Sequence, residues 1–264
     1  MGGGYPDSGR GTHRRTTVSD VSDRTRAELR RLLRWPPARR VLAGPSLVGL
    51  EIADAVRVTG ELVAVGSPVA LEHRPAADED AAAVLDDVVA RVHAAGIATS
   101  CELTVPVQRL GPEQARRLVQ AADVAGLPIA LAGPAAMVEP LAEHLPHARV
   151  VVPAGAADAE ERCRALAGDR VRLLAGHGAA ADLSFVRCLN VLMAGSGHPS
   201  VATVDPRLIA ITGERAAWNG RAPESWEYVM PFRTRIQDQR RLVAAGYTVR
   251  VAVVSGRGAL GRHS

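Results

Sequence analysis

Two short apolar runs end in polar groups that suit the handling of a charged small molecule: Val171-Arg-Leu-Leu-Ala-Gly-His177 and Ala202-Thr-Val-Asp-Pro206. Arg172 offers a permanent cation with a planar fork of donors, able to hold an anionic ligand or to form a structural ion pair, for which Asp205 is a candidate partner. Thr203 adds a hydroxyl. Asp205 ahead of Pro206 reads best as a helix N-cap with proline at the first helical position. His177 and His198 lack metal-ligand spacing and read as solvent-exposed loop histidines. The run Gly256-Arg-Gly-Ala-Leu-Gly261 is glycine-rich, but no helix follows it, so it reads as a flexible terminus rather than a nucleotide loop. The chain has no lysine at all, its 32 cationic residues being arginines, which excludes Schiff-base chemistry and ammonium clamps. Cys101, Cys163 and Cys188 are far apart in sequence and odd in number. They read as buried thiols with neither a disulfide framework nor a zinc site.

The elements that would position these groups follow a regular plan. Beyond Pro37 short β-branched runs alternate with Ala-rich amphipathic stretches, the pattern of repeated βα units. Strands are expected at residues 68–72, 99–105, 127–131, 149–152, 170–174, 200–204, 226–230 and 248–254. Helices are expected at 78–94, 112–125, 135–145, 157–167, 183–194, 206–218 and 236–245. Eight strands with seven intervening helices imply an α/β fold, a (β/α)8 TIM-like barrel with its final helix missing, and place the active site at the C-terminal ends of the strands. An N-terminal extra helix is expected at 20–33, with Leu29, Leu32 and Leu33 on one face. Either that helix, a partner protein, or an open side would take the place of the eighth helix.

Charge and composition bound the rest. The net charge of +4 is unevenly placed: residues 1–40 hold ten arginines against four acids, giving +6, whereas residues 41–264 hold twenty-two against twenty-four, giving −2. The basic character therefore belongs to residues 1–17, a disordered tail, and to 18–37, the N-terminal helix and its linker; 38–264 form the barrel domain. With no aromatic residue interleaved among the tail arginines, nucleic-acid binding is not expected. No stretch has the length of a membrane span and the start lacks a signal-peptide core, so a cytoplasmic protein is expected.

Residues 184–208 (SFVRCLNVLMAGSGHPSVATVDPRL), taken with 240–256 (RRLVAAGYTVRVAVVSG), resemble the last third of the proline dehydrogenase family barrel, monofunctional bacterial type. The resemblance extends over roughly 39–256 and is strongest from Ser184 onward. It implies FAD lying over the strand ends, hydride transfer from L-proline to give 1-pyrroline-5-carboxylate, and electron transfer to quinone. Arg172, Gly176, Thr203 and Asp205 are retained, and the resemblance makes them the cofactor-binding residues; Arg235 also matches a family position near the seventh strand.

Six other family positions are substituted. Pro106 and Ala175 stand where the family has Lys, Ala132 where it has Asp, Pro153 where it has Gln, Val204 where it has His, and Ala252 where a Tyr walls the proline site. A final helix bearing paired arginines for the proline carboxylate is not found. Each lost charge-assisted hydrogen bond is worth about 1.5–3 kcal/mol, so several losses together erase millimolar to micromolar affinity. The expectation is a catalytically degenerate, proline dehydrogenase-like protein with a binding or regulatory role, a small-molecule ligand at the strand ends and little or no FAD. The alternatives are an active FAD-dependent proline dehydrogenase and a non-catalytic partner subunit of a true one.

Overall fold

The computed structural model describes residues 47–260, together with Met1. The expected tail at 1–17, the helix at 20–33 and residues 261–264 lie outside the described residues. Eight parallel strands close into a barrel in sequence order: β1 (Val69–His73), β2 (Cys101–Pro106), β3 (Ile129–Ala132), β4 (Arg149–Pro153), β5 (Val171–Leu174), β6 (Ser200–Ala202), β7 (Glu227–Pro231) and β8 (Val249–Ser255). Closure is made by β8 pairing with β1 from Val69↔Val251 to His73↔Ser255. Every expected strand and every expected intervening helix forms. The runs rich in Val, Ile and Leu are buried on both faces, as parallel strands between a packed interior and a helix layer must be.

The helices are α1 (Ile52–Ala64), α2 (Ala81–Ala94), α3 (Val107–Leu110), α4 (Pro112–Val124), α5 (Ala135–Ala142), α6 (Ala159–Ala165), α7 (Ala179–Ala194), α8 (Pro206–Trp218) and α9 (Ile236–Ala244). Their starts are chemically marked. The Asp80 carboxylate accepts from the amides of Ala82 and Ala83, and Pro112 and Pro206 occupy first-turn positions where a missing N–H loses nothing.

The seam between β8 and β1 corrects the expectation of an open side. Helix α1, which the sequence reading passed over, packs there against both strands and against α2, burying Ala55, Val58, Thr59 and Leu62. The chain enters it through a short parallel bridge, Leu47 beside Val254, with the Val48 amide donating to the Val254 carbonyl at 2.9 Å. No α-helix follows β8 among the described residues, yet the seam is covered from within the chain.

Candidate functional site

The strand register places one charged or polar residue on the inward face near the start of most strands. Glu102 pairs in register with Ala70, Arg149 with Ala130, Arg172 with both Val151 and Ser200, and Ser200 with Glu227, while Arg250 lies one inward step above Glu227 on the neighbouring strand. Period-two alternation therefore aims all of them at the barrel axis. They form one ion-pair network. Arg149 Nε donates to Glu102 at 2.9 Å and its Nη2 lies 3.3 Å from Glu227; Arg250 Nε donates to Glu227 at 2.9 Å. Arg172 donates to the Glu102 carboxylate and, through Nη1, to the Thr104 hydroxyl at 3.1 Å. Ser200 donates to Glu227.

Three guanidiniums against two carboxylates leave this interior with a surplus of one positive charge. Burial works against ionisation of Glu227, but Arg250 and Arg149 outweigh it and hold the carboxyl at about 2. For Glu102 too, burial is outweighed by Arg149, Arg172 and Arg250, which keep it below the usual glutamate range. Burial lowers the pKa of Arg172, and Arg149 and Arg250 add to the effect. A guanidinium remains protonated under such shifts, so Arg172 stays a buried cation.

Above this layer the barrel mouth opens into a cleft of about 740 Å³. Arg172, 5 % exposed, lies at its floor beside Thr104, and Val151, Leu174, Pro106, Ala132 and Pro153 form apolar walls. Two arginines fix the segment between β1 and α2 over one side. Arg109 donates to the Ala76 carbonyl at 2.9 Å, and Arg257 pairs with Asp78 at 2.9 Å and Glu79 at 3.1 Å. His73 at the rim hydrogen-bonds the buried Ser255 hydroxyl at 2.9 Å, and burial lowers the pKa of its ring.

The expected site residues divide. Arg172 reaches the cleft, but its ionic partner is Glu102 rather than Asp205, because Asp205 lies beyond the end of β6 and turns outward to start α8. Asp205 accepts from the Arg207 amide at 2.8 Å and pairs with the Arg207 guanidinium, whose hydrogen bond holds it at about 2. Thr203 is buried and its hydroxyl accepts from the Asp205 amide at 3.2 Å. Gly176 permits a close approach between the ends of β5 and α7: a Cβ there would lie 2.7 Å from that of Ala181. Thr203, Asp205 and Gly176 shape the β5–α7 and β6–α8 connections and do not line the cleft.

Other expectations also meet the structure. His177 is exposed, but His198 is not the solvent-exposed residue expected: it is half-buried, its carbonyl accepts from Arg149 at 2.9 Å, and burial and Arg149 lower its pKa. The glycine-rich segment after β8 is ordered as far as residue 260 rather than a loose terminus. Gly256, at φ +92°, lets the chain pass so close to Arg74 that a Cβ would meet its carbonyl oxygen at 2.4 Å. Arg235 has φ 51° and pairs with Asp238 at 3.4 Å on the surface. The three cysteines are buried, but Cys163 and Cys188 are neighbours in space between α6 and α7. Among the described residues no group of His, Cys, Asp or Glu is arranged to hold a metal ion. No helix among them is long and apolar enough to cross a membrane.

The sequence reading missed Glu102, Arg149, Glu227 and Arg250, which together set the electrostatics of the site. Their signal was a lone charge at the start of an otherwise apolar strand, repeated with both signs.

No protein-family model and no curated protein matches the chain. Among solved structures it is similar to proline utilization A from Bdellovibrio bacteriovorus inactivated by N-propargylglycine, with a TM-score of 0.71 and 12% identity over 92% of this chain and 32% of that one. It is also similar to a point mutant of proline utilization A from Bradyrhizobium japonicum (TM-score 0.61, 18% identity, 82% of this chain and 30% of that one) and to proline utilization A from Corynebacterium freiburgense (TM-score 0.61, 12% identity, 94% and 32%). The chain thus spans about a third of the length of the proline utilization A chains it matches. At these identities the likeness is one of fold: the barrel is built like a barrel region of those proteins.

Proposed function

We propose that this protein is a proline dehydrogenase-like barrel that no longer oxidises proline and instead binds a small carboxylate at its mouth, in a binding or regulatory role. The observation that carries this reading is the cation at the cleft floor. Arg172 belongs to an interior with one surplus positive charge, and its Nε is buried without a hydrogen-bond partner. A ligand carboxylate at the floor would neutralise that surplus. The Thr104 hydroxyl accepts from Arg172 and so keeps its own proton for the ligand, while Val151, Leu174 and the rim prolines exclude water and strengthen both interactions. Arg109 and Arg257 hold the β1–α2 segment and fix the width of the entrance.

The substituted family positions supply no side-chain donor for FAD, the cofactor that the family resemblance implies. Where the rim positions bring a side chain to the cleft, they bring Pro106, Ala132 and Pro153, none of which carries a polar side-chain group. Glu102 and Thr104 engage both Nη groups of Arg172, which leaves Nε as its unpartnered nitrogen. Val204 is 40 % exposed, and Ala252 pairs in register with Ala70 and Pro231, where it offers a methyl group only. No catalytic step through a flavin is therefore assigned.

The test is a set of three measurements on the purified full chain. Its visible spectrum is expected to lack a flavin band, and L-proline with a dye acceptor and added FAD is expected to give no turnover above background. Calorimetry with acetate and succinate is expected to show saturable binding that Arg172→Met abolishes. Proline-dependent dye reduction that disappears in Arg172→Met would overturn the reading and restore the enzyme. Carboxylate binding indifferent to Arg172→Met would remove the proposed site.

A further inference from the structure

A second cavity, of about 630 Å³, opens on the opposite face of the barrel, at the N-terminal ends of β3, β4 and β5. Its deep cation is Arg170, the residue before β5 and one inward step below Arg172. The Arg170 carbonyl is fixed by the Val150 amide at 2.8 Å, so the backbone position is set by the sheet. Its side chain is different. Arg170 makes no side-chain hydrogen bond and no salt bridge among the described residues, and its Nε is buried without a partner. Arg149 beside it raises the local positive potential, and the two glutamates that compensate, Glu102 and Glu227, are already bound by Arg149, Arg172 and Arg250. A partly buried guanidinium without an anion is costly, and the two Nη groups are left to meet one.

The rest of the cavity defines that anion. Its walls are apolar, formed by Leu127, Ile129, Leu145 and Pro146, and His144 and His147 stand at its edge. His144 uses Nδ1 on the Pro140 carbonyl at 3.0 Å, and its Nε2 makes no hydrogen bond among the described residues. Among the described residues Asp123 is the one acid that lines the cavity. One guanidinium opposed by one carboxylate suits a monoanion and disfavours a dianion such as phosphate, and the apolar walls call for a ligand with an apolar body. We propose that this cavity is a second ligand site, separate from the barrel mouth, that binds a small organic acid by pairing one carboxylate with Arg170 and burying an apolar ring or chain against Leu127, Ile129 and Leu145.

The site is tested with benzoate as the probe, benzamide as its uncharged match and inorganic phosphate as the competing anion, by calorimetry and amide NMR shifts on the full chain. Benzoate is expected to bind saturably with shifts at Gly126 and His147, and benzamide and phosphate to bind at least about tenfold more weakly, the loss typical of a charge-assisted pair. Arg170→Met is expected to weaken benzoate by a similar factor, and the shifts at Gly126 and His147, which line this cavity and not the mouth, separate this proposal from the mouth site. Asp123→Asn removes the opposing charge and is expected to tighten benzoate about twofold, a gain that a damaged fold would not produce. Absence of saturable benzoate binding, equal binding of benzamide, or full binding in Arg170→Met would overturn the proposal. Should Arg170→Met unfold, the decision passes to Asp123→Asn, where unchanged or weaker binding overturns it.

Discussion

Replacing Glu102 by Gln would remove one charge from the barrel interior while nearly preserving volume. The carboxylate is 3 % exposed and serves two guanidiniums, Arg149 at 2.9 Å and Arg172. Its loss raises the interior surplus from one positive charge to two, and the new amide group points donors at donors. Breaking a buried ion pair by removing one partner costs about 3–5 kcal/mol, because the surviving charge is left buried and uncompensated. Glu227 still faces Arg149 at 3.3 Å and Arg250 at 2.9 Å, so the middle of that range, about 4 kcal/mol, is the expected loss. For a domain of this size that lowers the melting temperature by roughly 8–16 °C.

The acid limb carries the sign. Glu102 and Glu227 have folded pKa values below their unfolded value of about 4.3, so their contribution is fully present above it and is lost as pH falls toward the folded values, about 2 for Glu227. Stability should therefore fall between roughly pH 5 and pH 2, less steeply in Glu102→Gln. Adding Arg172→Met to Glu102→Gln restores the original charge balance and should recover part of the loss. Urea unfolding across that pH range, with thermal melts at neutral pH, measures all three. A single variant within about 1 kcal/mol of the parent, or an acid limb of unchanged slope, would refute the network as a stability determinant.

Leu62→Ala, in the helix that covers the β8–β1 seam, should cost about 2–5 kcal/mol in chemical unfolding, since Leu62 is fully buried. Removing residues 1–65 takes the whole helix away and should yield oligomers by light scattering, because the seam is then bare. Deleting residues 1–35 would leave this helix in place, so the seam would stay covered. Gly256→Ala should cost about 1–3 kcal/mol and speed hydrogen exchange in the β1–α2 segment, because its φ of +92° and the 2.4 Å approach to the Arg74 carbonyl both oppose a Cβ; a neutral effect on both readouts would refute that account.

The strands were legible because a parallel barrel asks each one for a short run of β-branched and aliphatic residues, and turn residues separate those runs. Arg149 to Val152 and Val171 to Leu174 are visible without any knowledge of their neighbours. Helix α1 was not, since Val56, Val58, Thr59 and Gly60 are poor helix formers and only the seam it fills makes the conformation worthwhile. The partner of Arg172 was misassigned for a related reason. Asp205 is near the end of a strand in sequence, whereas Glu102, 70 residues away, becomes a neighbour only once the barrel closes and the register is fixed.

Closure also changes what a charge at the start of a strand means. On an open sheet such a residue reaches solvent at the edge of the layer, but in a closed barrel the inward position has no edge to reach, so each charge must find its opposite across the axis or attract a ligand through one of the two ends. Glu102, Glu227, Arg149 and Arg250 satisfy one another in this way. Arg172 above them and Arg170 below are where the unbalanced positive charge faces an opening, one onto the mouth cleft and the other onto the opposite cavity. The surplus that makes Glu102→Gln destabilising thus faces the mouth through Arg172, while Arg170, outside that count of three guanidiniums and two carboxylates, adds a further cation at the opposite end.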